Sequence, residues 1–230
     1  MSGTSHKVDF IVVGAGIAGA SVAASLAARG RVVVLEREDH AGYHSTGRSA
    51  ALYSAIYGNS VIRALTRASR QFLFEPPEGF APQPLVHPRA TLHFARADQL
   101  ASLERMRCDE DVRAGTVLVG AAEAAAMVPI FRPGYLGGAA LDAGSADIDV
   151  DALHQGFLRR ARSQGARIAF GAGVREVRPN GGTWHVTTAG ETFAAPVVLN
   201  CAGAWADELA HMAGVRPIGL QPMRRTALLI

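Results

Sequence analysis

Three glycines and one glutamate near the amino terminus form the pattern with the clearest chemical meaning. The segment Gly14-Ala15-Gly16-Ile17-Ala18-Gly19 follows an apolar run, and Glu36 closes a second such run. Gly14 permits a tight turn, Gly16 has no Cβ to keep a diphosphate from the backbone, and Gly19 lets a helix pack closely on a strand. An acid about 20 residues after such a turn accepts hydrogen bonds from ribose hydroxyls and repels a 2′-phosphate. The pattern predicts a dinucleotide other than NADP, and it leaves NAD and FAD open.

The elements around this pattern would place it at a helix amino terminus. Residues 8–13 and 31–36 are rich in β-branched side chains, which is typical of buried parallel strands. Between them, residues 20–29 are rich in Ala and Leu and end at Gly30, which predicts a helix. The free N–H groups and the positive dipole end of that helix would face the phosphates.

The rest of the chain does not continue the simple alternation of an NAD domain. Helical spacing over 61–73, 100–107 and 121–127 and strand patterns at 89–94 and 135–141 indicate an inserted second domain. A helix capped by Asp149 and running to Gly165 would return to the first domain. Strands at 167–170, 174–178 and 183–188 would then form a β-meander, before a strand at 196–200 and a second small-residue turn at Ala202-Gly203. This organisation favours FAD over NAD.

Composition limits the other function classes. The 230 residues carry a net charge of only +3 with no basic block, so nucleic acid is not an expected partner. Two cysteines, Cys108 and Cys201, form neither a metal motif nor a disulfide framework, and they indicate reduced thiols in a cytoplasmic protein. The apolar run 8–28 is interrupted by Asp9 and by glycines, so no transmembrane segment is predicted there.

Five further segments accompany the glycine motif. In chain order they are Glu36-Arg37, Gly42-Tyr43-His44-Ser45-Thr46-Gly47-Arg48-Ser49-Ala50-Ala51, Ala146-Asp147-Ile148-Asp149, Asn200-Cys201-Ala202-Gly203-Ala204-Trp205 and Pro222-Met223-Arg224-Arg225. Together they resemble the FAD-dependent D-amino-acid oxidase and dehydrogenase (DAO) family, and within it the bacterial D-arginine dehydrogenases. The resemblance extends over nearly the whole chain, and the stretch from Tyr43 to Ala51 is its most specific part.

The resemblance implies a fold class, two domains and a set of site residues. The fold would be α/β, with a Rossmann-like FAD-binding domain of the glutathione-reductase type, a parallel sheet plus β-meander, at 1–84 and 145–216. An inserted and incomplete α+β substrate domain would occupy 85–144 and 217–230. Tyr57 would lie on a lid over the substrate, and Arg225 would bind its carboxylate. The residues expected to contact FAD are Gly14, Gly16, Ile17, Ala18, Gly19, Glu36, Arg37, His44, Ser45, Thr46, Ser49, Ala50, Val174, Ala202, Gly203 and Trp205.

The bland alternatives stay open for some of these residues. Trp205 could be core packing, His44 a polar loop residue, and Arg225 one of a solvated pair with Arg224. Ser45, Thr46, Ser49 and Ala50 would lie along the diphosphate and the flavin, and Val174 would meet the adenine through its backbone, by resemblance alone.

The implied reaction oxidises the C–N bond of a (D-)amino acid or related amine. A hydride leaves for flavin N5, and the imine hydrolyses to a 2-oxo acid and ammonia; the electron acceptor, quinone or oxygen, stays open. Thr91 stands where the D-arginine enzymes have an acid, and Leu52 where they have a histidine, so a neutral or apolar amino acid is expected. Because family members are longer, a truncated and inactive FAD-binding fragment is the alternative, and an NAD-dependent dehydrogenase is a weaker one.

Overall fold

The computed structural model describes residues 5–224 and residue 226. Its helices are α1 (Ile17–Leu26), α2 (Ser60–Phe74), α3 (Leu100–Met106), α4 (Glu110–Gly115), α5 (Ala121–Met127), α6 (Val150–Ser163) and α7 (Ala206–Met212). Its strands are β1 (Ser5–Lys7), β2 (Phe10–Val13), β3 (Val32–Leu35), β4 (Leu52–Tyr53), β5 (Val86–Pro88), β6 (Thr91–Ala95), β7 (Val117–Gly120), β8 (Gly138–Asp142), β9 (Ala146–Ile148), β10 (Arg167–Ala169), β11 (Glu176–Asn180), β12 (Thr183–Thr187), β13 (Thr192–Ala195) and β14 (Val197–Asn200).

Two compact units divide the chain, and each is discontinuous. Of the described residues, the first unit holds 5–50, 79–82, 150–224 and 226, and the second holds 51–78 and 83–149. These boundaries differ from the predicted ones at residues 51–78, 83–84 and 145–149, which lie in the second unit, and at 217–224 and 226, which lie in the first. Residues 51–78 pack with the second unit because Arg63 on α2 pairs with Asp109 and Asp111. Residues 217–224 pack with the first unit because Asp207 on α7 accepts the N–H groups of residues 218–220.

A parallel sheet in the order β10-β3-β2-β14 is the centre of the first unit. Successive residues of a strand point to opposite faces, so a strand covered on both faces needs an unbroken apolar run. In β2, Val12 packs towards α1 and α6 with Ala23 and Ala161. Its neighbour Ile11 packs on the other face, in a cluster that includes Phe193 of β13. The predicted strands at 8–13, 31–36 and 196–200 therefore lie in one sheet, in which β2 and β3 are buried and β14 is a partly exposed edge strand.

The second layer of the first unit is an antiparallel meander, β11-β12-β13, with β1 added parallel to β13. The meander was predicted, but its membership was wrong. The strand at Arg167–Ala169 pairs with β3 in the parallel sheet, and β13 takes the third place in the meander. The polar strand Ser5–Lys7 was also missed, because a short edge strand with exposed side chains has no apolar alternation to reveal it.

The turn between β2 and α1 depends on two glycines. Gly14 has φ +104°, a conformation that side chains with a Cβ rarely adopt. A Cβ on Gly19 would lie 1.8 Å from the Gly14 carbonyl oxygen, so only glycine lets α1 approach the turn this closely. Both roles agree with those that the sequence predicts for these positions.

The second unit contains two small antiparallel sheets, ordered β6-β8-β7 and β4-β9-β5. The helices predicted near 61–73, 100–107 and 121–127 correspond to α2, α3 and α5, and α2 begins after an Asn59 cap that accepts the Ile62 N–H. The elements β4, β5, β7, β9 and α4 were not predicted, since each has two to six residues. Over the described part of the chain, no helix combines the length and apolar character needed to cross a membrane.

Candidate dinucleotide-binding site

A groove of about 190 Å³ opens in the first unit where strands of the parallel sheet end. Three of its walls follow directly from β2, β3 and β14, at residues 13–16, 35–37 and 201–205. Parallel strands end at the same edge of a sheet, which brings the turns that follow them together. Residues 42–46 and 172–174 and one side of α7 complete the groove.

The Glu36 carboxylate faces the glycine turn. Its Oε2 accepts the Ala15 N–H at 2.8 Å, and its Oε1 accepts the Glu38 N–H at 3.0 Å. Each carboxylate oxygen has two lone pairs, so both oxygens retain capacity for hydroxyl donors. Gly14 and Gly16 line the same groove without side chains. An acid and an open backbone turn therefore lie next to each other, as dinucleotide binding requires.

The amino terminus of α1 is tied to the loop over residues 42–47. The Ile17 N–H donates to Thr46 Oγ1 at 3.0 Å, and the Gly47 N–H donates to the Gly42 carbonyl at 2.7 Å. A hydroxyl that accepts one hydrogen bond still has its own proton to donate. Thr46 therefore offers a donor beside the positive end of the α1 dipole, which suits a phosphate oxygen.

A charged and aromatic cluster forms the rim of the groove. The Arg37 guanidinium lies 4.1 Å from the centre of the Trp205 ring, and the His44 ring lies 4.6 Å from the same ring. Glu38 Oε1 is 2.9 Å from His44 Nε2 and 3.0 Å from Arg37 Nε. The hydrogen bond with His44, followed by that with Arg37, holds the Glu38 pKa below its usual value. This cluster fixes the direction of Arg37 and presents a cation next to the groove.

Cys201 joins the two turns at the base of the groove. Its N–H donates to the Val13 carbonyl at 2.9 Å, and its own carbonyl oxygen would lie 2.3 Å from a Cβ on Gly14. Burial raises the pKa of the Cys201 thiol, so the thiol is neutral near pH 7. Cys201 is therefore a packing residue of the groove wall.

Most of the residues predicted to contact FAD lie in this groove. Those that line it are Gly14, Gly16, Glu36, Arg37, His44, Ser45, Thr46, Val174, Ala202, Gly203 and Trp205. The other five do not line it. Ile17 and Gly19 hold Thr46 and the turn in place, Ala18 and Ala50 are exposed, and Ser49 donates its hydroxyl to the Thr46 carbonyl. For all sixteen residues, contact with FAD stays a prediction.

The groove also has wall residues that sequence reasoning missed. They are Val13, Leu35, Gly42, Tyr43, Ala172, Gly173, Cys201, Ala204, Glu208, Leu209 and Met212. Several adjoin predicted residues in the chain, which was an available signal. On α7 the signal was helical spacing, because residues 205, 208, 209 and 212 share one helix face.

Among the described residues, Tyr57, Thr91 and Leu52 do not line the groove. Tyr57, 67% exposed, belongs to the second unit, and Arg225 lies outside the described residues. In the second unit, Thr91 Oγ1 accepts the Ser145 hydroxyl at 2.9 Å, and Leu52 stands opposite Asp147 in the sheet. The roles of all four in substrate binding stay predictions.

The fold and the groove define a dinucleotide-binding protein of the Rossmann type. The chain belongs to the DAO family of FAD dependent oxidoreductases, whose family model matches residues 9–230. FAD is accordingly the cofactor, which confirms the choice of FAD over NAD. The particular closeness to D-arginine dehydrogenases stays a prediction.

Curated relatives of known function align with nearly the whole chain. The chain is 32% identical over 234 residues to the tRNA 5-methylaminomethyl-2-thiouridine biosynthesis bifunctional protein MnmC of Burkholderia multivorans, covering 93% of the chain and 33% of the relative. It is 26% identical over 251 residues to one subunit of the anaerobic glycerol-3-phosphate dehydrogenase of Escherichia coli, covering 98% of the chain and 43% of the relative. The chain thus spans less than half the length of these two relatives.

Solved structures share the fold. The chain superimposes on glycine oxidase from Geobacillus kaustophilus with a TM-score of 0.80 and 24% identity, over 91% of the chain and 59% of the neighbour. The superposition on L-alpha-glycerophosphate oxidase from Mycoplasma pneumoniae with FAD bound gives a TM-score of 0.79 and 19% identity, over 91% of the chain and 57% of the neighbour. The superposition on NikD, an unusual amino acid oxidase, gives a TM-score of 0.76 and 25% identity, over 90% of the chain and 54% of the neighbour.

The residues of the groove fit the chemistry of FAD. The cofactor carries two negative phosphates, which the α1 terminus and Thr46 can meet with donors. It also carries an adenosine ribose, which Glu36 can meet with acceptors. The side chains of Val174, Leu209 and Met212 supply apolar wall.

Proposed function

We propose that this chain carries the FAD site of an enzyme that oxidises the C–N bond of an amino acid or related amine. The observation that supports this proposal most is the Glu36 carboxylate, held by the Ala15 N–H at 2.8 Å beside an open glycine turn. In the proposed arrangement Glu36 binds the ribose, and the Gly14–Gly16 turn and Thr46 bind the diphosphate. The chain thereby fixes the cofactor at its adenosine end.

Bound FAD supplies the two-electron acceptor for the reaction. The substrate amine reacts in its neutral form and loses a hydride from its α-carbon and a proton from its nitrogen, which leaves an imine. Water then adds to the imine carbon, and loss of ammonia from this adduct gives the 2-oxo acid. The task of the protein is to orient the substrate, and we assign its carboxylate to Arg225, since a planar guanidinium binds a carboxylate through two donors.

The substrate we propose is a neutral or apolar amino acid, in the D configuration. The amino-acid class rests on the family resemblance and on structural neighbours such as NikD. The preference for an uncharged side chain rests on Thr91, whose hydroxyl accepts from Ser145 and carries no charge. A buried cation without a partnering carboxylate is costly, which disfavours arginine and lysine.

One other function is supported by particular observations. Oxidation of a glycerol phosphate would match the names of the relative from Escherichia coli and the neighbour from Mycoplasma pneumoniae.

One experiment separates these functions. The purified chain is titrated with FAD, and the holoprotein is mixed without oxygen with D-leucine, L-leucine, D-arginine or glycerol 3-phosphate while the flavin absorbance is recorded. The proposal expects FAD uptake and bleaching by D-leucine. Faster bleaching by D-arginine contradicts the substrate class, and bleaching by glycerol 3-phosphate alone supports the glycerol phosphate function. FAD uptake without any bleaching contradicts the proposed oxidation of amino acids, and the absence of uptake contradicts the FAD site.

A further inference from the structure

A buried histidine lies directly beneath the glycine turn. His154 is on α6 and is only 3% exposed, and its Nε2 lies 2.8 Å from the Ala15 carbonyl oxygen, 139 residues away in the chain. A carbonyl oxygen can only accept, so the Nε2 atom carries the proton and donates it. The contact therefore fixes both the ring and the carbonyl.

The hydrogen bond from His154 sets the direction of a phosphate donor. The Ala15 carbonyl and the Gly16 N–H belong to one peptide unit, and in a trans unit the two groups point in opposite directions. Holding the carbonyl towards α6 turns the Gly16 N–H away from α6. Gly16 lines the groove, whereas Ala15 is fully buried. The histidine thus orients the backbone donor on the groove side.

The preceding peptide unit is held separately. The Ala15 N–H donates to Glu36 Oε2, so Glu36 and His154 fix the two peptide units on either side of Ala15. With both peptide units fixed, the turn keeps its donors in place before a ligand arrives. A site organised in advance loses less conformational freedom on binding.

The same ring supports the second wall of the groove. Gly42 has φ +78°, and a Cβ at this position would lie 2.9 Å from His154 Cε1. The loop from Gly42 to Gly47 therefore rests against the imidazole, and this loop carries Thr46 to the Ile17 N–H. One side chain contacts both segments that would hold the phosphates.

We propose that His154 is a positioning residue for dinucleotide binding: it aligns the Gly14–Gly16 turn and the 42–47 loop for the diphosphate. This inference rests on the proposed FAD site, and it goes beyond it by assigning a function to a residue that does not itself line the groove. The glycine motif alone gives no sign of it, because the partner comes from another part of the chain.

The test compares two variants of His154 with a control on the same helix. His154→Leu removes the donor, and His154→Gln keeps an amide donor at about the position of Nε2. Arg159→Leu, the control, also removes a side-chain donor of α6 from a backbone carbonyl, because Arg159 Nη2 donates to the Phe80 carbonyl at 2.7 Å. FAD and ADP dissociation constants are measured at a temperature where all four proteins are folded. ADP carries the ribose and diphosphate without the flavin.

We expect His154→Leu to weaken both ligands about tenfold or more, because a buried carbonyl is left without a donor. His154→Gln should stay within about threefold of the wild type, and Arg159→Leu should bind as the wild type does, because its lost hydrogen bond goes to Phe80 and not to the turn or the 42–47 loop. Equal binding by His154→Leu and the wild type overturns the proposal, and so does equal loss in His154→Gln and His154→Leu.

A measurement on the unmodified protein covers the case in which His154→Leu does not fold. In ¹⁵N spectra of the apoprotein, the Nε2-bound proton of His154 should be visible and slow to exchange, and adding ADP should shift it together with the Gly16 amide. A proton on Nδ1 alone, or a His154 signal that ADP leaves unchanged, overturns the proposal. If ADP binds but FAD does not, the positioning role survives and the proposed function fails. If neither binds, both fail.

Discussion

Replacing Glu36 by glutamine tests the ribose contact with the smallest change in shape. The carboxylate accepts N–H groups from Ala15 at 2.8 Å and from Glu38 at 3.0 Å, one on each oxygen. A glutamine has only one acceptor oxygen, so one of these donors would face an NH₂ group instead. The substitution disturbs the turn and the ribose partner together.

The expected loss follows from the hydrogen bonds involved. A hydrogen bond to a charged group contributes about 1.5–3 kcal/mol, and Glu36 is only half-buried, which favours the lower end. A loss of about 1.5 kcal/mol corresponds to a roughly tenfold weaker FAD complex. Fluorescence titration of the apoprotein with FAD measures this directly.

A matched control separates charge from position. Glu191→Gln also removes one negative charge, but Glu191 lies on the meander side of the unit, where it pairs with Arg167 and His6. Its variant should bind FAD as the wild type does. If Glu36→Gln binds FAD with the affinity of the wild type, the reasoning about the ribose contact is wrong.

Three further predictions concern stability. Gly19→Ala should lower the free energy of unfolding by about 1–3 kcal/mol, since the new Cβ would meet the Gly14 carbonyl. The control Gly190→Ala, which places its Cβ in open space, should leave the free energy of unfolding nearly unchanged. Urea denaturation measures both. Arg63→Leu should destabilise the protein by about 2 kcal/mol, because Arg63 is 7% exposed and its partners Asp109 and Asp111 would lose a cation. An unchanged melting temperature at neutral pH would show that these ion pairs contribute no stability. The hydrogen bond from Arg63, followed by that from Arg67, lowers the Asp111 pKa below 3.8. The contribution of Asp111 to folding stability is therefore complete above pH 3.8 and disappears as the pH falls through the lowered pKa. The urea midpoint of Asp111→Asn should fall less steeply on acidification than that of the wild type, and parallel plots of midpoint against pH would contradict this.

Local signals in the sequence were sufficient for the first part of the fold. The strand before Gly14, the helix after Gly16 and the strand before Glu36 all have unbroken patterns of a single type, and the structure contains each of them. The acid and the turn come together for the same reason, since adjacent parallel strands end at one edge. The resemblance supplied the 42–51 loop, of which Thr46 contacts α1.

The remaining features depend on contacts that are distant in the chain. Residues 167–169 look like any short strand, and only their pairing with β3 places them in the parallel sheet. Residues 51–78 join the second unit through Arg63 and its partners around residue 110, which no local pattern reveals. His154 is a single histidine on an amphipathic helix, and its role depends on a carbonyl 139 residues away.

A crystal structure of the chain, from crystals grown with FAD, tests most directly the claim that the groove binds the cofactor through Glu36 and the glycine turn. We predict ribose hydroxyls within hydrogen-bonding distance of both Glu36 oxygens, and a diphosphate against the Gly16 N–H and the Thr46 hydroxyl. A dinucleotide bound elsewhere, or a ribose whose hydroxyls make no contact with Glu36, would contradict it.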